Sequence, residues 1–288
     1  MGFKDRAVIT SLKLLPQRYL SHCAGVLAST RLPAPIARAV VKRFFSFYGA
    51  NFDEVKEPLD SFPSVQSFFV RALKDGARPI DQAADAFVSP CDGAWGAAGV
   101  VEQGLALQVK GRAYSVASLL GDDALAAQFE GGVYATLYLS PRDYHRFHSP
   151  CSGDVVEARH MPGALWPVNN AGIVHVDGLF AKNERIVAVV RPHGFPDARL
   201  AMVAVGATMV GKVRVVFDDT LSTNVRGENE GAHRVYQPPK RVEKGAEWGR
   251  FEFGSTIVLV ATRGWLELDV PPPATPLVLG RRIGRTQG

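Results

Sequence analysis

The sequence predicts an α+β protein, a β-rich body of antiparallel or mixed sheets preceded by N-terminal amphipathic helices. Two observations carry this. From residue 86 onward the chain consists of short β-branched and aromatic runs punctuated by glycine and proline. Before residue 50, apolar residues recur at helical spacing among basic ones. Few helical stretches separate the strand-like runs, which argues against a doubly wound parallel sheet. With 288 residues, 47% hydrophobic and 21% charged, the chain is long enough to bury a core and too charged for a multi-span membrane protein.

The first fifty residues are the basic end. Lys4, Arg6, Lys13, Arg18, Arg31, Arg38, Lys42 and Arg43 stand against Asp5 alone, giving +7; with +5 overall, the remainder carries −2. Val8, Leu12, Leu15 and Tyr19 form one helical stripe, and Ile36, Val40, Phe44 and Phe47 a second. Basic amphipathic helices of this kind fit an anionic phospholipid surface, with capping of the globular body as the alternative reading. Pro16, Arg31, Pro33 and Pro35 interrupt every candidate run for spanning a bilayer, and Lys13 and Pro16 interrupt any secretory-type apolar core. The expectation is a peripheral protein on the cytoplasmic face of the cell membrane. The slightly acidic body gives nucleic acid little to hold. Cys23, Cys91 and Cys151 have neither disulfide nor metal-ligand spacing.

Charge reverses at Asp53, Glu54, Glu57 and Asp60, which places the boundary between residues 1–50 and 51–288. Ser64 to Leu73 reads as a short helix packing Phe68 and Phe69, followed by the turn Asp75-Gly76-Ala77-Arg78-Pro79. Candidate strands are Gly131 to Leu139, Gly153 to His160, Arg185 to Arg191, Leu200 to Val210, Lys212 to Phe217 and Thr256 to Ala261. No internal repeat, low-complexity tract or phosphate loop stands out.

Three segments have chemical potential. His145 and His148 stand three apart in a proline-bounded segment, a spacing that permits one acid/base site on a helix or in a tight loop and equally permits plain surface. Asp92 lies in Ser89-Pro90-Cys91-Asp92-Gly93, where Asp-Gly alone is an ordinary turn pair. The bond between Gly254 and Ser255 opens an apolar strand, and a serine hydroxyl there can reach its own preceding carbonyl.

Taken with Phe68-Phe-Val-Arg71, Gly76-Ala-Arg-Pro-Ile-Asp81, Phe180-Ala-Lys-Asn-Glu-Arg185 and Gly206-Ala-Thr-Met-Val-Gly211, these segments resemble the bacterial-type phosphatidylserine decarboxylases. The motifs occur in family order over most of the chain. Phe253 stands where the family usually has Leu. The resemblance implies a zymogen whose Ser255, with His148 as base and Asp92 orienting it, attacks the Gly254 carbonyl. Cleavage then gives chains 1–254 and 255–288, and Ser255 becomes a covalent pyruvoyl cofactor with no metal required. That group forms a Schiff base with phosphatidylserine, CO2 leaves, His145 protonates the product, and phosphatidylethanolamine is released. The implied partners are the phospholipid membrane, the substrate, and the two cleavage products as a heterodimer, with higher assembly left open. Arg142, Arg146, Lys182 and Lys212 are unranked candidates for gripping the substrate's phosphate and carboxylate. Alternative readings are a Ser-His-Asp ester hydrolase, which lacks the usual Gly-x-Ser-x-Gly elbow, and a non-enzymatic membrane-binding protein.

Overall fold

The computed structural model describes residues 25–108, 112–208, 212–224, 229–252 and 256–287. The stripe through Val8, Leu12, Leu15 and Tyr19 lies outside them, as does Cys23. Helix α1 (Ala34–Tyr48) starts on a proline, whose missing N–H costs nothing in a first turn, and ends at Gly49 in the left-handed region. Its buried stripe is Ala37, Val41 and Phe45, one residue on from the expected one. Ile36, Val40 and Phe47 of the expected stripe face outward, so the helix is apolar on two sides. Helix α2 (Val65–Phe69) is fixed at its start by reciprocal Ser64 and Ser67 bonds. Phe45 packs on Phe68 at 4.3 Å and Phe69 at 4.9 Å between ring centroids, closing a small aromatic core.

The body's strands, in chain order, are β1 (Ala86–Val88), β2 (Gly93–Val100), β3 (Leu105–Gln108), β4 (Arg112–Ser115), β5 (Val133–Tyr138), β6 (Arg146–His148), β7 (Gly153–Met161), β8 (Arg185–Pro192), β9 (Leu200–Val205), β10 (Val213–Val215), β11 (His233–Val242), β12 (Glu247–Phe251), β13 (Thr256–Ala261), β14 (Leu266–Leu268), β15 (Pro276–Leu277) and β16 (Arg282–Thr286). The short helices α3 (Val116–Leu120), α4 (Asp123–Ala127), α5 (Asn170–His175) and α6 (Leu179–Lys182) lie between them. The expected α+β, β-rich class is the observed one.

The main sheet runs β11-β7-β8-β9-β13-β5-β2-β15 with antiparallel neighbours. Strand β13 is internal, with Thr256 opposite both Tyr138 and Val205, and Ala261 opposite Val133 and Leu200. Both faces of this sheet are covered. Ile257 and Leu259 join Ala188 and Met202 on one face, while Val258 and Val260 join Val187 and Val203 on the other. That double burial explains why β8, β9 and β13 read as unbroken apolar runs, without the alternation of a half-solvated antiparallel sheet. A small sheet β10-β12-β6 covers the first face with Phe147, Trp248 and Phe251. Helices α3, α4 and α6 cover the second with Leu119, Leu125 and Phe180. The Arg185 guanidinium closes the C-terminal ends of α3 and α6 by donating to Ser118, Leu119 and Ala181 carbonyls.

A short repeat, passed over in the sequence, joins β1 to β2 and β6 to β7. It is Ser89-Pro90-Cys91-Asp92-Gly93 and Ser149-Pro150-Cys151-Ser152-Gly153. In each copy the serine Oγ donates to the cysteine carbonyl at 2.7 Å. The copies pair reciprocally: Val88 N–H donates to Pro150 O and His148 N–H to Pro90 O. Asp92 and His148, far apart in sequence, are thereby neighbours.

Because Leu259 is buried at the centre of β13, Leu259→Ala is expected to destabilise the chain by about 2–5 kcal/mol. Urea denaturation on a Ser255→Ala background, which keeps one polypeptide, measures this.

Candidate active site

His145 is the residue before β6 and His148 is its last, so only His148 lies in the strand, and the helix that the spacing also permits does not form. His145 is fully buried, its ring edge-on to Phe69 at 4.9 Å, and its Nδ1 lies 2.8 Å from Asp143 O. His148 Nδ1 lies 2.8 Å from Gly245 O, with Tyr144 alongside. A carbonyl only accepts, so each Nδ1 carries the proton and each Nε2 presents a lone pair. Both Nε2 atoms are buried and have no hydrogen-bond partner among the described residues. Burial pushes His145 down to about 3, reinforced by the Arg71 cation, and burial likewise lowers His148. Both rings are neutral at ordinary pH.

Arg71 is the buried cation behind His145. Its guanidinium donates to the carbonyls of Arg142 and Asp143, sharing the Asp143 acceptor with His145, and stacks over Phe68 at 4.8 Å. Burial lowers it to about 10. The neighbouring loop is held by Asp143, which accepts from the Ser140 N–H and hydroxyl.

Asp92 is 7% exposed. Arg78 clamps it through Nε at 2.9 and 3.0 Å and Nη2 at 2.7 Å, and Glu54 takes a further Nη2 bond at 2.9 Å. Leu279 N–H donates to Asp92 Oδ1 at 2.9 Å. Asp92, expected to orient His148, makes no hydrogen bond to it among the described residues: Gly245 holds the imidazole, and the carboxylate acts on it through space. Gly93 must be glycine, since a Cβ there would lie 2.2 Å from Tyr138 O.

Phe253, Gly254 and Ser255 lie outside the described residues; their flanks do not. Phe251 N–H donates to His145 O at 2.9 Å, Glu252 N–H to Lys212 O at 2.8 Å, and Thr256 is paired on both sides. Thr256 Oγ1, like Arg71 Nε, is also buried without a partner among the described residues. Of the candidate cations, Arg142 is exposed beside Asp143, Arg146 bonds Val70 O and Glu247, Lys182 ends α6, and Lys212 supplies the carbonyl just named. Sequence reasoning assigned no role to Arg71, Arg78 or Gly245. The two arginines lie within quoted motifs, whereas Gly245 carries no signal because only its backbone acts.

A family model described as phosphatidylserine decarboxylase matches residues 65–285. The chain is 46% identical over 266 residues to a phosphatidylserine decarboxylase proenzyme of Anaeromyxobacter sp. (strain K), covering 92% of this chain and 93% of that one. It is 40% identical over 287 residues to the proenzyme of Verminephrobacter eiseniae (strain EF01-2), covering 98% of each. It is 37% identical over 281 residues to that of Myxococcus xanthus (strain DK1622), covering 97% and 98%. A match spanning the β-rich body and both histidines, with relatives aligned nearly end to end, places this chain in the phosphatidylserine decarboxylase family.

Proposed function

We propose that the chain decarboxylates phosphatidylserine to phosphatidylethanolamine after cutting itself at Gly254–Ser255. The observation that carries this is the pair of buried, unprotonated imidazole Nε2 atoms in the segment His145–His148, which is tied to the chain leading into that bond. In maturation His148 Nε2 takes the Ser255 hydroxyl proton, and Oγ attacks the Gly254 carbonyl. The peptide C–N bond breaks, leaving an ester and a free amine. Asp92, a buried carboxylate near His148, favours the resulting imidazolium. Elimination of the Gly254 carboxylate leaves dehydroalanine, and addition of water with loss of ammonia gives the ketoacyl end.

A pyruvoyl carbonyl at residue 255 supplies an electron sink as CO2 leaves the substrate. The buried polar atoms of His145, His148 and Thr256 suit a polar group there. His145 Nε2 accepts the proton that the substrate ammonium must lose and returns it to the α-carbon. The anionic substrate raises the ring's proton affinity from its low resting value. Phe69 and the Asp143 carbonyl fix the ring for that transfer.

Residues 51–288 form the catalytic body, and residues 1–50 hold it on the membrane. In support, Leu27 is 78% and Phe47 82% exposed, close in sequence to Arg31, Lys42 and Arg43. Among the described residues no helix is long and apolar enough to cross a bilayer. The two cleavage products stay together because β13 is paired on both edges.

Asp92→Ala, His148→Ala and Ser255→Ala are expected to slow self-cleavage by about 10²–10⁴-fold or abolish it. His145→Ala should cleave and then decarboxylate poorly. Intact mass, carbonyl labelling and product assay separate the two; an uncleaved His145→Ala chain would remove that division of labour.

Deleting residues 1–50 should abolish flotation with anionic vesicles. Unchanged flotation would assign membrane binding elsewhere.

His145 sits below its unfolded value of 6.5, so between pH 6.5 and about 3 the unfolded chain binds more protons than the folded one. Stability is therefore complete above 6.5 and lost as pH falls through that window. The thermal midpoint of Ser255→Ala should drop from pH 7 to pH 4, less steeply when His145→Phe is added.

A further inference from the structure

Strands β10, β12 and β6 set three arginines in one cross-strand row, with Arg214 opposite Arg250 and Arg250 opposite Arg146. Like charges directly opposite on paired strands repel and weaken the pairing. The outer two are compensated: Arg214 Nε donates to Glu252 at 2.9 Å and Arg146 Nη1 to Glu247 at 2.9 Å. Arg250, the middle one, is half-buried and its guanidinium has no hydrogen bond or ion pair among the described residues.

Arg250 lines a groove of about 560 Å³ together with Arg31, Arg146, Ser64, Ser67 and Glu252. The groove's carboxylate is already taken, since Glu252 accepts from Gln66 at 2.6 Å and from Arg214. Three arginines thus line a groove whose single carboxylate has other partners, and of these Arg146 already bonds Val70 O and Glu247. The groove also has a direction. Arg31 lies just ahead of α1, and Glu252 is the last described residue before Gly254 and Ser255. On the neighbouring position Phe251 is bonded to His145.

We infer that Arg250 binds the phosphodiester of the lipid headgroup, with Arg146 and Arg31 completing an anion site. A planar guanidinium donates to two phosphate oxygens at once, which a lysine does not reproduce. The identity of the anion rests on the decarboxylase reading; the anion site does not. Arg250 is the binding residue absent from the cations singled out in the sequence, because only the register of β12 exposes its lack of a partner.

The test uses full-length processed protein and titration calorimetry with glycerophosphoethanolamine, a diester that cannot be decarboxylated, and with inorganic phosphate. Arg250→Gln is expected to weaken diester binding about tenfold or more, with Arg250→Lys also impaired. Arg241→Gln, an exposed arginine paired with Glu243, should bind normally. KM for dispersed short-chain phosphatidylserine should rise about tenfold in Arg250→Gln, with kcat changed less than about threefold. Its thermal midpoint at low salt should hold or rise, because the row loses its central repulsion. Unchanged diester binding, an equal loss in Arg241→Gln, or a midpoint lowered by several degrees would overturn the inference. So would inorganic phosphate that binds as tightly as the diester while KM stays fixed. Arg250-dependent diester binding by a protein that forms no phosphatidylethanolamine would support the anion site and sink the decarboxylase reading instead.

Discussion

Everything near the candidate site depends on β13 being held from all four sides. Its backbone is paired with β5 and β9 over the whole strand, and its alternating side chains are buried in two separate cores. Thr256 is consequently fixed at the head of a strand with no freedom to recoil. A peptide bond cut just ahead of such a strand releases tension in neither sheet nor core, so cleavage there need not dismantle the fold. The same segment continues through β14, β15 and β16, and Leu279 N–H reaches Asp92. The carboxylate proposed to support cutting also ties together residues on either side of the proposed cut, Arg78 before it and Leu279 after it.

Around that strand the protein tolerates several groups that a stability-driven core would avoid. Two imidazoles have buried lone pairs, and Arg71 is a buried guanidinium satisfied chiefly by carbonyls and aromatic faces. Each costs desolvation. Their common effect is to hold the histidines neutral and acceptor-ready: the carbonyls set the tautomer, and burial with the nearby cation suppresses protonation. Asp92 is held differently. Arg78 and a backbone N–H supply donors along its carboxylate, so its oxygens are satisfied without a direct bond to His148.

Legibility in the sequence followed the physics of burial. Strands β8, β9 and β13 could be read because double-faced burial demands uninterrupted apolar residues, and α2 could be placed by Ser64. Strand β11 was invisible because it contains Pro238 and Pro239; it survives as an edge strand with a register shift between Val235 and Lys240. Strand β2, rich in glycine and alanine, lacks β-formers because its close approach to β5 leaves little room at Gly96, where a Cβ would meet Thr136. The outer and inner faces of α1 were confused because both are apolar, and the tertiary partner alone distinguishes them. His145, His148, Asp92 and Ser255 are singled out in the sequence by the combination of motifs alone. Local spacing would have left each an ordinary turn or surface residue. The Arg78 clamp, the Gly245 carbonyl and the arginine row needed tertiary pairing, which no periodicity encodes.

The two-sided character of α1 joins the proposed membrane surface to His145 by direct packing. Its outer residues Ile36, Val40 and Phe47 are exposed, while Phe45 on the inner side touches Phe68 and Phe69, and Phe69 lies against His145. Arg71 adds a second link, stacked on Phe68 while holding the Asp143 carbonyl that fixes the His145 tautomer. A helix that merely capped the body would need only the inner stripe; one that merely floated on lipid would need only the outer. Having both makes α1, with its exposed apolar outer face, part of the wall behind His145, and the basic groove beginning at Arg31 opens beside the same unit. The groove and the aromatic cluster share α2, whose start supplies Ser64 and Ser67 to the one while Phe68 and Phe69 build the other, so the packing of α1 bears on both.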